Sequence, residues 1–397
     1  MSPPAQVDYR EMNFAYALNL ALLAGLLGGI VRGADLIVSA NDAKYVRVQG
    51  VDTFRPDQPH DSLTLLDAAV FPPRVVATFA VAHAIFGPPQ AVAITPNGRI
   101  AVVSAPNHYD PATGTALPDN FLQVVDLENP GVPIRRITLT AHPQGVAINR
   151  AGTLLLAATV AGKVAVVTIE GSELRLHGEI SVAADRLSGV CFTPDGQAAL
   201  VGLRDEQGLL VLDIHGANAT SSGERIATGV GPYTVDVAGR WAVVANVGLA
   251  ALRNPGKLAG DADSFTLIDI SRRPFRAVQH VTVPATPEAA AISPNGRWIA
   301  VQAMNGSNLP PANPGRRAKG RVLLFENNDG EVRRTADVAG GEASQGIVFA
   351  ADGEHVLVQF NVEQQIAVYA VNGGRLTDTG VRISTPGGPA SLRTRPR

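Results

Sequence analysis

Hydrophobic and polar residues alternate along this chain over short runs that break at a glycine and then resume, and the same figure returns six times. PPQAVAITPNGRIAVVSA begins at Pro88, HPQGVAINRAGTLLLAAT at His142 and LSGVCFTPDGQAALVGL at Leu187. GPYTVDVAGRWAVVAN begins at Gly231, TPEAAAISPNGRWIAVQA at Thr286 and ASQGIVFAADGEHVLVQF at Ala343. Each is a period-two run, an Asn-Gly, Asp-Gly or Ala-Gly step and a second run, which predicts a β-hairpin. The turn glycines Gly98, Gly152, Gly196, Gly239, Gly296 and Gly353 stand 43 to 57 residues apart, the length of one four-stranded blade in a radial repeat.

A seventh copy is divided between the two ends. GGPASLRT has the opening strand without the hairpin, and DLIVSANDAKYVRV, from Asp35, reads as second and third strands without a first. Joined, they complete one blade and leave no open sheet edge. The expected fold is therefore all-β: a seven-bladed β-propeller of four-stranded blades over residues 35–397, closed by pairing of the N- and C-terminal segments in one blade.

The predicted inner strands fit that geometry. Val92 and Ile94, Val146 and Ile148, and Val190 and Phe192 sit two apart on one face, with small Ala93, Ala147 and Cys191 between them. Strands crowded around an axis need this alternation. Cys191 thus has a packing role. Asp236 breaks the pattern, and is either hydrogen-bonded in the core or lines the central channel.

Composition narrows the function classes. The formal net charge of −2 gives no electrostatic basis for binding nucleic acid or an anionic membrane surface. One cysteine excludes an internal disulfide and any multi-cysteine metal site. The stretch FAYALNLALLAGLLGGIV, Phe14 to Val31, carries no charge and is long enough for a secretory apolar region or a minimal membrane span. Residues 1–34 read as an export signal cut near Ala34, or alternatively as an uncleaved signal anchor. Either places the protein in the periplasm or outside the cell, meeting a membrane only through that segment if it stays uncleaved; a monomer is expected.

The predicted second strands end in VSAN (38–41), VVAN (243–246), QAMN (302–305) and VQFN (358–361). With the Pro-x-x-hydrophobic start and the Asn/Asp-Gly turn, these runs resemble the YVTN-type β-propeller repeat, within the lactonase-like and cytochrome d1-like propellers. The resemblance implies the fold. It leaves activity open among exported binding and metal-chaperone modules, companions of redox enzymes, and lactonases. For the lactonase branch it implies a histidine just before an inner strand and an arginine ending a second strand, with an acid nearby. His142 in HPQG and Arg204 in VGLRDEQG take those places, with Asp205 and Glu206 adjacent. The Asn-Pro-Ser/Thr-type segment of that branch is missing from the N-terminal blade.

Topology then sorts the loops. Loops entering first strands and loops joining second to third strands share one face of a propeller. Three of the latter are long: APNHYDPATGTALPDN (105–120), NVGLAALRNPGKLAGDAD (246–263) and NGSNLPPANPGRRAKG (305–320). Long loops in a compact domain are often functional. His142 and the Arg204–Glu206 corner fall on the same face. His108, Tyr109 and Asp110 in the first long loop, Asp205, and Asn246, Asn305 and Asn361 at strand ends are candidate ligand contacts. One histidine beside one carboxylate is too little for a metal site, so no metal or cofactor is expected. No phosphate loop, Gly-x-Ser-x-Gly elbow or His-Glu-x-x-His helix occurs. Two readings result. The first is an exported propeller that binds a small ligand or a protein partner on the long-loop face. The second is a lactonase-like hydrolase of sugar or muconate-type lactones, in which Arg204 polarises the carbonyl, His142 handles the proton and Glu206 orients water.

Overall fold

A computed structural model of the protein describes residues 35–56, 60–248 and 263–397. The N-terminal segment 1–34 and most of the 246–263 loop lie outside the described residues, and with them the export-signal reading. Seven four-stranded antiparallel sheets form the blades. The six predicted hairpins are all present as first and second strands, and their turn glycines sit at φ between +55° and +75°, where a side chain would be strained.

Blade 1 is built from both ends of the ring. Gly388–Thr394 is its inner strand, followed outward by Leu36–Asp42, Ser62–Asp67 and Arg74–Ala80. Leu36–Asp42 pairs antiparallel on both sides, with Ser39 opposite Leu392 and Thr64. One detail departs from the sequence reading. Tyr45–Val48 is not the third strand; it turns back on Val51–Phe54 as a separate hairpin inserted before Ser62–Asp67. Two carboxylates set this turn: Asp61 Oδ1 accepts from the Ala43 amide (2.9 Å) and Asp42 Oδ1 from the Tyr45 amide (3.1 Å). SLTLLD is buried throughout, as a third strand must be, whereas YVRV fades from buried to exposed.

Burial falls from the axis outward. In blade 3, Pro143–Ile148 and Leu154–Thr159 are wholly buried, whereas the outermost strand Glu173–Ser181 is mostly exposed. Adjacent blades share apolar layers. Leu154, Leu156, Val164 and Val166 of blade 3 pack on Val190, Ala199, Val201 and Leu212 of blade 4. Area removed from water there supplies the main force holding neighbouring blades together.

The central channel is closed at two levels. Gln90 of blade 2 reaches across it: Nε2 donates to the carbonyls of Val190 (3.2 Å) and Val235 (2.7 Å), and Oε1 accepts from the Val235 amide (3.1 Å). Toward the lower face the chain beyond Leu392 turns into the channel. Arg397 donates to the carbonyls of Ile292 and Phe349, each at 2.7 Å, and Arg393 lies 3.5 Å from Asp236. Asp236 therefore both lines the channel and is hydrogen-bonded, accepting from the Ile292 amide at 3.0 Å. Cys191 faces the same space. Burial pushes its thiol up to about 11, which leaves it protonated and inert at neutral pH.

Candidate functional site

The upper mouth of the ring holds a cavity of about 550 Å³, within the usual range for small-molecule sites. Repeat positions build it. His142 and Arg186 are equivalents, each four residues before the first core valine of its inner strand, Val146 and Val190; Gln144 and Tyr233 are equivalents two residues before Val146 and Val235. Arg204 and Val160 come from the turns that follow second strands. Asn107, Ala116 and Pro118 belong to the hairpin Asn107–Asp110/Thr115–Pro118 inserted in blade 2, and Ala84, Ile85, Phe86 and Gly87 to the loop entering that blade. His142 and Arg204, singled out separately in the sequence, thus line one space.

The tautomer of His142 follows from its partner. Nδ1 lies 2.8 Å from the Asp119 carbonyl oxygen, which can only accept, so Nδ1 carries the proton and Nε2 keeps its lone pair. Burial lowers the pKa of the ring from its ordinary 6.5, against the opposing pull of that carbonyl and of the Asp119 carboxylate. The imidazole is neutral at pH 7, a state suited to accepting a proton.

Two guanidiniums face the same cavity. The Arg204 head group lies 4.6 Å from the centroid of the Tyr233 ring, and its Nε is buried without a partner. Arg186 is held by Asp205 through Nε (2.6 Å) and Nη2 (2.9 Å), a two-pronged contact that fixes the plane of the head group. Near Arg204, burial pushes the Glu288 carboxyl up to about 7, outweighing the attraction of Arg204 and Arg47. Two guanidiniums thus line this side of the cavity, one of them paired with Asp205 and the other near a carboxyl whose charged form burial disfavours.

The inserted hairpins arch over the mouth. Phe54 stacks flat on Tyr109, with centroids 3.5 Å apart and planes 5° from parallel, joining the blade 1 insertion to that of blade 2. At the other end the tip glycine Gly50, φ +79°, lies so close to Leu309 that a Cβ would clash with its carbonyl carbon. The hairpin thus reaches from blade 2 to the blade 6 loop. Beneath it, Lys44 Nζ pairs with Asp61 (2.6 Å) and Asp42 (3.3 Å), while these carboxylates also accept from the His83 (3.0 Å) and Ile85 (3.1 Å) amides. This polar knot positions the segment that carries Ile85 and Phe86 into the cavity wall.

The other sequence candidates stand outside the cavity lining. Glu206 turns away: Oε1 accepts from the Ala184 (2.5 Å) and Asp185 (3.2 Å) amides and Oε2 from Arg225 (3.1 Å). His108 is exposed beside the Asp119 carboxylate at 3.1 Å, and Asp110 accepts from the Ala112 amide (3.0 Å) and the Thr113 hydroxyl (2.8 Å) in the hairpin turn. Asn246 donates to the Ser264 and Thr266 hydroxyls (3.1 and 3.0 Å) and Asn361 to the Pro389 carbonyl (3.2 Å). Asn305 holds a turn at φ +52°. Sequence reading missed Arg186, Tyr233 and Asn107. The repeat register contained the signal for the first two, since they occupy the offsets of His142 and Gln144.

No family model matches the chain, and neither does any curated protein. Solved structures do. A putative 6-phosphogluconolactonase from Bacteroides uniformis superposes with a TM-score of 0.65 at 15% identity, over 91% of this chain and 99% of that one. The periplasmic gluconolactonase of Pseudomonas aeruginosa gives 0.62 at 16%, over 90% and 99%. Hydrazine synthase of Kuenenia stuttgartiensis gives 0.57 at 18%, over 78% and 90%. At such identities the likeness is one of fold: the protein is a seven-bladed propeller similar in structure to lactonase-like propellers.

Proposed function

We propose that this is an exported small-molecule propeller whose upper-mouth cavity binds an organic anion. The observation that carries the reading is the convergence of Arg186, Arg204 and neutral His142 on one concave, partly apolar space. A carboxylate matches the planar guanidinium fork, and its charge is favoured where Arg204 stands half-buried beside an aromatic face. Calorimetric titration with hydroxy-acid anions tests this. Binding that weakens about tenfold or more in Arg204→Leu supports it, in line with loss of a charged hydrogen bond. Equal affinity in the wild type, Arg204→Leu and His142→Ala would overturn it.

The His142 tautomer favours a reaction that yields such an anion in the same cavity, the opening of a lactone. Nε2 takes a proton from water as the water oxygen adds to the ester carbonyl carbon. A guanidinium holds the negative oxygen that forms, the ring C–O bond breaks, and the leaving oxygen takes back from His142 Nε2 the proton it had accepted from water, giving a hydroxy acid and the neutral imidazole. The solved neighbours described as lactonases support this reading by shared fold.

A further inference from the structure

The walls of the cavity differ in chemistry according to the blade that supplies them. Blades 4 and 5 contribute Arg186, Arg204 and Tyr233, and blade 3 contributes His142 and Gln144. The blade 2 side contributes Ala84, Ile85, Phe86, Ala116 and Pro118. Because blades follow one another around the ring, this apolar wall faces the cationic one with His142 between them. Phe86 is 42% exposed, and its ring stands edge-on to Tyr45, with centroids 5.5 Å apart. A large aromatic surface left half-open in a concave site is area that a ligand would cover.

A polyhydroxylated acid fits this poorly. Its hydroxyls would be spread around the body, and each one pressed unpaired on the apolar wall would weaken binding roughly ten- to hundredfold. Among its lining residues that wall offers one polar side chain. Asn107, 6% exposed at the foot of the blade 2 hairpin, has both Oδ1 and Nδ2 buried without partners. A buried carboxamide with neither atom satisfied is costly unless something completes it. It suits one hydroxyl or one carbonyl.

Resting on the organic-anion reading above, we propose that the ligand is a hydroxy acid, or the lactone it closes to, carried on an aromatic or aliphatic body rather than on a sugar. The carboxylate lies toward Arg204, the body lies on Ile85 and Phe86, and the lone hydroxyl is read between His142 and Asn107. The same substrate class applies to the ring-opening step, since the lactone of such an acid presents the same apolar body.

The test is calorimetric titration of the full chain with 3-(2-hydroxyphenyl)propanoate and with gluconate, two hydroxy acids of equal charge. The aryl acid is expected to bind at least about tenfold tighter, and Phe86→Ala to remove most of that margin by weakening the aryl acid far more than gluconate. Phe86→Leu, which restores an apolar body, is expected to recover part of the margin, and circular dichroism of each variant checks the fold. Gluconate binding as tightly as the aryl acid, or an aryl preference untouched by Phe86→Ala, overturns the inference and leaves the anion reading standing. Binding of neither acid overturns both.

Discussion

His142 donates its Nδ1 proton to the carbonyl of Asp119, 2.8 Å away, so the blade 2 loop sets the tautomer of a blade 3 side chain. The consequence is a lone pair on Nε2 and a ring that burial holds neutral. A base of this kind is active only when unprotonated.

Lactone opening is therefore expected to rise with pH through a midpoint below 6.5 and to be flat above neutrality, because the pKa of His142 lies below its ordinary value. His142→Ala is expected to lower kcat/KM by about 10² to 10⁴, the usual contribution of a positioned base. Initial rates for dihydrocoumarin between pH 5 and 8 check both, and an ascending limb centred above 7 contradicts the assignment.

The two acids next to Arg204 have different tasks. Asp205 grips Arg186 with two bonds, whereas Glu206 ties down backbone amides and Arg225. Asp205→Ala is expected to weaken anion binding about tenfold by freeing the Arg186 head group to rotate. Glu206→Ala is expected to leave affinity within about threefold and to cost roughly 1 kcal/mol of stability. Titration and denaturant melts of both variants separate these outcomes, and a larger affinity loss in Glu206→Ala would reverse the roles.

His83 gives stability a pH signature. It is fully buried, its Nδ1 donates to the Ser104 carbonyl at 3.2 Å, and burial lowers its pKa from 6.5 to about 4. The unfolded chain takes up this proton near pH 6.5 and the folded chain only near 4, so stability is lost as pH falls through that window. The loss amounts to roughly 3 kcal/mol. His83→Gln removes the differential proton uptake. Guanidinium melts at pH 6.5 and 4 are expected to show a difference smaller by about that amount in the variant, and an unchanged difference would refute it.

Gln90 ties blade 2 to blades 4 and 5 across the axis. Gln90→Leu strands the Val235 amide and two carbonyls, and is expected to destabilise the ring by about 1–3 kcal/mol or more. A thermal melt reads it directly, and an unaltered transition would show that the bridge contributes nothing.

The blade pattern was legible because each hairpin needs a glycine at positive φ and an alternating strand, and both leave marks on the sequence. The closing blade was legible for the same reason: Gly388–Thr394 and Leu36–Asp42 are incomplete copies that fit each other. The third strand of that blade was misread because Tyr45–Val48 has the composition of a strand and does form one, but pairs with Val51–Phe54 in a hairpin. Local alternation does not specify a partner. Within the candidate site, His142 and Arg204 were singled out by the resemblance to lactonase-like propellers, and both line one cavity. Arg186 went unnoticed although it occupies the repeat offset of His142. Asn107 had no signal, since its orphaned amide exists only once the hairpin is packed. Asn246, expected from its strand-end position as a ligand contact, donates to the side-chain hydroxyls of Ser264 and Thr266 on the next strand, a pairing that only the fold reveals.

The measurement that bears most directly on the account is a double-mutant cycle on His142 and Arg204. Affinity for 3-(2-hydroxyphenyl)propanoate and for gluconate is titrated in the wild type, His142→Ala, Arg204→Leu and the double variant. If both side chains hold one ligand, the acid that binds tighter should show a coupling of about 1 kcal/mol or more between them. Strictly additive losses, or a double variant that binds as the wild type does, would contradict a shared site at the ring mouth.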